Sequence, residues 1–431
     1  MQTTDLYAIY LRHPQISTDT RQIIPGGIFF ALKGGNFNGN DFAAQALDAG
    51  AAYVVIDEPR VKKDERYLLA DDVLTALQDL ARHHRRQLNI PFIGITGSNG
   101  KTTTKELTHA ALSPRYKTLA TKGNLNNHIG VPLTILSITQ DIEIAIIEMG
   151  ANHQQEIAFL CGIAQPDCGI ISNVGKAHLE GFGGFEGVKK GKKELYDYLH
   201  LKNGVAFINA NDSNLMEMGS AIEKKILYGT EGYLDVSGTI ASAKPFLNVR
   251  FTVLGDNRAH TIQSQLVGDY NAGNILAAIA IGRYFGVSVE QIIRGIESYV
   301  PSNNRSQIIH TEYNKIIMDA YNANPSSMHA AIANFAQLHE DHKLMILGDM
   351  FELGPESDME HQALIAEVKA LGFTKVIFCG KEFAKHRNND FVFFETTAGA
   401  ADYIRLSPIQ NHTILVKGSR GMKLESLLEL L

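Results

Sequence analysis

An apolar run of strand length at 92–96 gives way to Gly97-Ser-Asn-Gly100, and a helical pattern follows at 101–112 with no further break. A strand that feeds a helix through so short a loop cannot return as a hairpin. It opens a strand–helix–strand unit whose next strand runs parallel to the first. Apolar runs of strand length alternate with helical patterns along nearly the whole chain, so the expectation is an α/β protein on mainly parallel sheets. At 431 residues the chain exceeds what one core usually organises, and its pattern separates into three blocks. The first, 1–89, has a Pro25-Gly-Gly27 turn, strands at 28–32 and 53–56, a helix at 41–49 and an amphipathic helix at 73–87. The second, 90–301, holds strands at 92–96, 142–148, 169–174 and 205–209, a β-like stretch at 236–266 and a helix from about 271. The pattern breaks at Pro301, Asn303 and Asn304. The third block, 302–431, has strands at 316–319, 344–347, 376–379 and 413–416 with helices between them, as in a small doubly wound, Rossmann-like domain.

Composition narrows the class further. The apolar share of 45% and charged share of 20% are those of a globular chain, which excludes a fibrous or disordered one. The longest apolar runs, such as 142–147 and 167–174, fall far short of the ~20 residues a membrane helix needs, so no membrane insertion is expected. Residues 1–14 have neither a basic leader nor an apolar segment, and Cys161, Cys168 and Cys379 sit in apolar surroundings. Reduced thiols and a cytoplasmic location are expected. A net charge of −6 does not suit nucleic-acid binding, and the basic clusters at 82–86 and 189–193 read as solvated helix faces.

The loop after 92–96 has the composition that phosphate binding requires. Backbone N–H groups of Gly97, Ser98, Asn99 and Gly100 and the start of the helix can cradle phosphates. Lys101 can reach the terminal phosphates, and Thr102, followed by Thr103, offers a hydroxyl to Mg²⁺. ATP is therefore the expected nucleotide. The generic spacing is not met, because the position five before Gly100 is Ile95.

That departure carries a resemblance. Gly97-Ser-Asn-Gly-Lys-Thr-Thr103 resembles the phosphate loop of the Mur ligases, which join amino acids or peptides to UDP-N-acetylmuramic acid. The segments Gly123-Asn-Leu-Asn-Asn-His-Ile-Gly-Val-Pro132, Glu148-Met-Gly150, Asn173-Val-Gly-Lys-Ala-His178, Asp319-Ala-Tyr-Asn-Ala-Asn-Pro325 and Leu347-Gly-Asp-Met-Phe-Glu-Leu-Gly354 follow in the family's order. The likeness extends from Ser17-Thr-Asp-Thr-Arg21 to Lys417-Gly-Ser-Arg-Gly-Met-Lys423. It implies a three-domain Mur ligase architecture: 1–89 for the UDP-muramoyl-peptide, a central P-loop ATPase domain at 90–301, and a Rossmann-like domain at 302–431. The implied activity is ATP-dependent joining of D-alanyl-D-alanine to UDP-N-acetylmuramoyl-tripeptide through an acyl phosphate, by a monomer. A sibling ligase adding the third residue, lysine or diaminopimelate, is the alternative. It usually carries an Asp-Asn-Pro-Arg motif where this chain has Asn322-Ala-Asn-Pro-Ser-Ser327.

The resemblance also implies roles for single residues. Lys101, Lys192, His178, Glu148 and Arg305 would be catalytic. Thr102, Glu148, His178 and Lys192, the last as a carbamate, would hold Mg²⁺, with Lys192 preferred over Lys190 because Leu195-Tyr196 follows it. Asn271 and Asn274 would meet the adenine, Arg305 the phosphates and Asp319 the ribose. Tyr270 stands where the family often has His, which leaves a contact there open. Thr20, Arg21, Lys33, Asn36 and Asn38 would bind the uridine nucleotide, while Asn126 and Asn127, with His128 beside them, would hold the muramoyl-peptide. Tyr321, Asn322, Asn324 and the loop 349–353 would hold the dipeptide. Asn324 could equally only start the helix after it, and the loop at Lys417-Gly-Ser-Arg420 either meets an anion or caps a strand.

Overall fold

The computed structural model describes residues 1–431 except 231, 233, 244, 245, 257 and 303. Asn303, one of the asparagines at the second break, lies outside the described residues.

Among the described residues three large sheets follow one another along the chain, with a small antiparallel pair, Lys33–Gly34 and Phe37–Asn38, beside the first. In the first, Ile16–Ser17, Ile28–Phe30, Tyr53–Ile56 and Tyr67–Leu69 lie side by side in that order, all parallel. Successive side chains point to opposite faces, so Ile28, Phe30 and Val55 pack with Leu77 and Leu80 of the helix Val73–Gln87, while Phe29, Val54 and Ile56 pack with Ala43, Ala46 and Leu47. Asp72 caps the long helix by accepting from Thr75 N at 2.7 Å.

The second sheet is nine-stranded. Phe92–Thr96 lies between Ile144–Glu148 and Cys168–Ile171, parallel to both, with Thr118–Ala120 at the edge beyond Ile144–Glu148. The chain runs from Phe92–Thr96 to strands on one side and then returns to add Cys168–Ile171 on the other. This reversal opens a crevice at the carboxyl ends of the central strands, where parallel sheets bind ligands. Val205–Asn209 and Lys224–Gly229 extend the parallel part, and Val236–Ser242, Asn248–Val253 and His260–Gln263 finish it as an antiparallel meander, the β-like stretch of the sequence. In the third sheet Lys315–Asp319, Thr413–Lys417, Lys343–Gly348, Val376–Cys379 and Val392–Phe394 are parallel neighbours, and Gln307–His310 adds an antiparallel edge. All three cysteines are buried and unbonded.

The cluster at 82–86 is not wholly a solvated face. Arg85 is buried, its guanidinium 3.8 Å from the Phe92 ring centroid and donating to Ala164 O and Gln165 O, both at 2.9 Å, and to Asp167 at 3.0 Å. One of the residues that tie the first block to the second is thus one of three arginines that look alike in sequence. Arg85→Ala leaves those carbonyls unsatisfied and should cost about 2–4 kcal/mol of stability, read as a lowered Tm, whereas exposed Arg86→Ala should stay within about 0.5 kcal/mol. Equal effects would contradict the anchor.

Candidate active site

The loop between Phe92–Thr96 and the helix Lys101–Leu112 is tightly constrained. Gly97 has φ +144°, and a Cβ there would lie 2.0 Å from Ser172 Oγ; Gly100 has φ +76°, and its Cβ would lie 2.9 Å from Asn274 Oδ1. Only glycine fits either position. The loop is laced to the strand-end segment beside it: Ser98 N donates to Asn173 O at 3.1 Å, Asn99 N to Asn173 Oδ1 at 2.8 Å, and Ser98 Oγ to Gly175 O at 3.0 Å. Lys101 folds back, its ammonium donating to Gly97 O at 2.6 Å and Ser98 O at 3.1 Å. These are carbonyls it can leave for a phosphate. Burial lowers its pKa to about 8, with Arg305 adding to the shift and Glu148 opposing it.

Glu148 ends its strand beside this loop and is 1% exposed. Its carboxylate accepts from Thr102 Oγ1 at 2.9 Å and Asn126 Nδ2 at 2.8 Å, so the two residues expected on a cation touch each other. Asn127 Oδ1 accepts from Ile129 N and Gly130 N and turns the chain into the helix Gly130–Leu136. On the opposite flank Asn274 accepts from Thr104 Oγ1 at 3.1 Å and donates to Asn271 Oδ1 at 2.9 Å.

The third block closes the crevice. Asn324 starts the helix Pro325–Gln337, its Oδ1 accepting from Ser327 N at 3.0 Å, and its Nδ2 also donates to Asn99 Oδ1 at 2.6 Å, which ties the third block to the phosphate loop. Asp319 pairs with buried Lys417 at 2.6 Å and accepts from Ser306 N at 3.2 Å. The Arg305 guanidinium lies 3.6 Å from the Tyr321 ring centroid. His178, at φ +53°, is paired through Nδ1 with Glu352, and Lys176 pairs with Glu360 at 2.5 Å. Glu352 belonged to a quoted motif, but nothing in its spacing pointed to His178. In the loop 349–353 the Asp349 carboxylate is turned away from the crevice, accepting from Glu382 N and Phe383 N at 3.0 Å.

These parts enclose a cavity of about 1010 Å³. Its walls include Ser98, Asn99, Gly100, Lys101, Thr102, Thr103, Asn126, Asn127, Glu148, His178, Asn271, Asn274, Arg305, Asp319, Tyr321 and Asn322. Tyr270, whose hydroxyl is 3.0 Å from Ser306 Oγ, lines it too, as do Leu74 and Gln78 from the first block, which the sequence reading missed. Gly97 and Asn324 are not in the wall but adjoin it, Gly97 along the chain to Ser98 and Asn324 through its bond to Asn99. Lys192 is 1% exposed, on the helix Phe185–Leu201. Its amine has one hydrogen bond, to Ala151 O at 3.3 Å, and sits 5.0 Å from the Phe182 ring centroid. Burial and the nearby Lys101 charge push its pKa well down, against Glu156 and Glu194.

Thr20, Arg21, Lys33, Asn36 and Asn38 stand apart from the cavity, at the carboxyl edge of the first sheet. Arg21 pairs with Asp19 at 2.6 Å, Lys33 with Asp57 at 2.9 Å, and Asn38 donates to Glu58 at 2.7 Å. Asp57 also accepts from Val73 N at 3.4 Å, one residue before Leu74 in the cavity wall. The two regions are therefore joined by the start of one helix.

Family descriptions match all three blocks: "Mur ligase family, catalytic domain" at 14–85, "Mur ligase middle domain" at 95–282 and "Mur ligase, glutamate ligase domain" at 304–420. The chain belongs to the Mur ligase family. It is 36% identical to the UDP-N-acetylmuramoyl-tripeptide–D-alanyl-D-alanine ligase of Bacillus subtilis over 96% of this chain and 92% of that one. The Escherichia coli ligase of the same name is 34% identical over 96% of this chain and 93% of its own. Among solved structures, MurF from Acinetobacter baumannii superposes with a TM-score of 0.86 at 33% identity, covering 96% of this chain and 92% of that one. MurF from Thermotoga maritima in complex with ADP gives 0.86 at 26% identity, covering 97% of both chains. No helix among the described residues is long and apolar enough to cross a membrane.

Proposed function

We propose that this chain is an ATP-dependent ligase that joins D-alanyl-D-alanine to UDP-N-acetylmuramoyl-tripeptide, giving UDP-N-acetylmuramoyl-pentapeptide, ADP and phosphate for peptidoglycan synthesis. The observation that carries the reading is one cavity on which the loop 97–103, Glu148 and the third-sheet residues Asp319, Tyr321 and Asn322 converge, in a chain alike over 96% of its length to ligases of that name. The proposed division is 1–89 for the nucleotide sugar, 90–301 for ATP and 302–431 for the acceptor and part of the nucleotide. Every part of the site is on one chain, so a monomer suffices, and ATP and the nucleotide sugar put its work in the cytoplasm.

A carboxylate becomes an acylating agent when one of its oxygens leaves as phosphate. The peptide carboxylate attacks the γ-phosphorus and ADP departs; the dipeptide amine then attacks the acyl carbon and expels phosphate. Two anions meet in the first step, so the protein's task is positioning and charge neutralisation. The 97–103 amides and Lys101 hold the phosphates, Arg305 adds a second cation, and Asn271, Asn274 and Asp319 hold the nucleoside. Asn126 and Asn127 hold the muramoyl-peptide, whose uridine end meets Thr20, Arg21, Lys33, Asn36 and Asn38. Lys33 and Arg21 would exchange Asp57 and Asp19 for the diphosphate. An α-amino group with a pKa near ~8 needs no dedicated strong base.

Magnesium fits the donor set. Among the described residues no three of His, Cys, Asp and Glu form a cation cluster, but Mg²⁺ completes its shell with water and phosphate oxygens and needs few protein ligands. Thr102 and Glu148 would hold it, with His178 and carbamoylated Lys192. When bound, the metal supplies the remaining neutralisation between phosphate and carboxylate. A buried amine with a lowered pKa and one hydrogen bond suits carbamoylation, which turns the repulsion between Lys192 and Lys101 into attraction.

A pH signature follows for Lys101. Its depressed pKa means that the ammonium is intact at pH 6.5 and half lost at about 8, while phosphates beside it favour the charged form. Nucleotide binding should therefore take up close to half a proton at pH 8 and almost none at pH 6.5. Calorimetry in buffers of different ionisation enthalpy reads this directly. Uptake at pH 8 that persists in Lys101→Ala would assign the proton elsewhere.

The function is tested by phosphate release from ATP and UDP-N-acetylmuramoyl-tripeptide with D-alanyl-D-alanine, single amino acids or no acceptor. Release only with the dipeptide is expected. Release only with UDP-N-acetylmuramoyl-dipeptide and a diamino acid would select the sibling activity.

A further inference from the structure

We propose that Arg420 binds the free carboxylate of the incoming dipeptide beside Tyr321, at the rim of the cavity that phosphate-binding Arg305 lines. The inference rests on the ligase reading and names the residue that reads the acceptor's charge. Two guanidinium groups approach one ring: Arg305 lies 3.6 Å from the Tyr321 centroid and Arg420 5.2 Å, with Arg420 Nη1 donating to Tyr321 Oη at 3.4 Å. Neither forms an ion pair with a carboxylate among the described residues. Lys417, a cation of the same wall, is by contrast neutralised by Asp319 at 2.6 Å. Two uncompensated like charges around one ring make a local positive field, which two separate anions would satisfy.

The positions divide the two anions. Arg305 and Tyr321 line the cavity that holds the phosphate loop, whereas Arg420 is exposed, is not part of that wall and meets Tyr321 at its hydroxyl. A dipeptide spans up to ~7 Å, more than the 3.4 Å from Arg420 Nη1 to the hydroxyl of Tyr321, a residue of the cavity wall. A dipeptide with its carboxylate on Arg420 therefore has its amine on the cavity side, where the acyl phosphate would form. The planar guanidinium fork matches a carboxylate with two parallel hydrogen bonds. Beside it Phe351 is 43% exposed and packs so closely on Gly421 that a Cβ there would lie 2.7 Å from its ring. Phe351 N donates to Ser419 Oγ at 2.9 Å, which fixes the aromatic face against the Arg420 loop. That face suits the small methyl groups of two alanines.

The test pairs a substrate change with a residue change. Wild-type enzyme should use D-alanyl-D-alanine amide with a KM about 10- to 100-fold above that of the free acid. Arg420→Gln should raise the KM for the acid by the same factor, leave the KM for ATP within about twofold, and treat acid and amide alike. Arg420→Lys should recover part of the preference, since it keeps the charge without the fork. An unchanged Tm would exclude misfolding as the cause. An Arg420→Gln enzyme that still prefers the acid to the wild-type extent would overturn the assignment. A wild-type enzyme that makes no product from the dipeptide would instead overturn the ligase reading.

Discussion

Lys101→Ala is expected to lower kcat by about 10²- to 10³-fold while the protein remains folded. The ammonium's hydrogen bonds go only to Gly97 O and Ser98 O, so its removal breaks no ion pair, and buried Glu148, which loses a nearby cation, keeps its bonds from Thr102 and Asn126. What is lost is the cation that follows the phosphoryl group as charge shifts onto it. That interaction is stronger in the transition state than in the ground state, so kcat should fall more than nucleotide affinity. Steady-state kinetics with a melting curve reads both. Near-wild-type turnover in a folded variant would take the loop lysine out of the mechanism.

Lys192→Ala is expected to cause a loss of similar size for a different reason. A buried amine with one weak hydrogen bond, its charged form disfavoured by burial and by the nearby Lys101 charge, contributes little to folding, yet it is close enough to interact with the phosphate-loop lysine. As a carbamate it becomes an anionic oxygen ligand for a hard cation, and the alanine variant leaves space of the same shape. Acetate or formate should therefore restore part of the activity in a saturable way. Lys190, exposed and two residues away on the same helix, should tolerate alanine with less than a twofold change. Rescue seen in Lys190→Ala and absent in Lys192→Ala would exchange the two assignments.

Much of this was legible in the residues because local and global signals agreed. The helix Val73–Gln87 and the strands Tyr53–Ile56, Phe92–Thr96, Val205–Asn209 and Val376–Cys379 fall where periodicity and caps put them. Each is buried by neighbours that its own pattern demands. Ile16–Ser17, Tyr67–Leu69, Thr118–Ala120, Lys224–Gly229, Gln307–His310 and Val392–Phe394 were missed. Most are short or lie at sheet edges, where half-exposed residues leave no periodic trace. The site divides in the same way. The glycines at 97 and 100 announce a special backbone by themselves. The partners that complete the site do not, because they meet through tertiary packing alone: Glu352 reaches His178, Asn324 reaches Asn99, and Gln78 enters the cavity from another sheet. Arg85 shows the limit of reading charge clusters, since burial distinguishes it from Arg82 and Arg86 and burial is set by Phe92 and Asp167 in the next block.

The central claim is that the tripeptide's own carboxylate is phosphorylated before the dipeptide displaces the phosphate. It is tested most directly by labelling both oxygens of that carboxylate with ¹⁸O and running one reaction to completion with ATP and D-alanyl-D-alanine. Mass spectrometry should find UDP-N-acetylmuramoyl-pentapeptide retaining one label, one ¹⁸O in the released phosphate, and unlabelled ADP. Pentapeptide formed with unlabelled phosphate, or label appearing in AMP, would contradict the acyl-phosphate route.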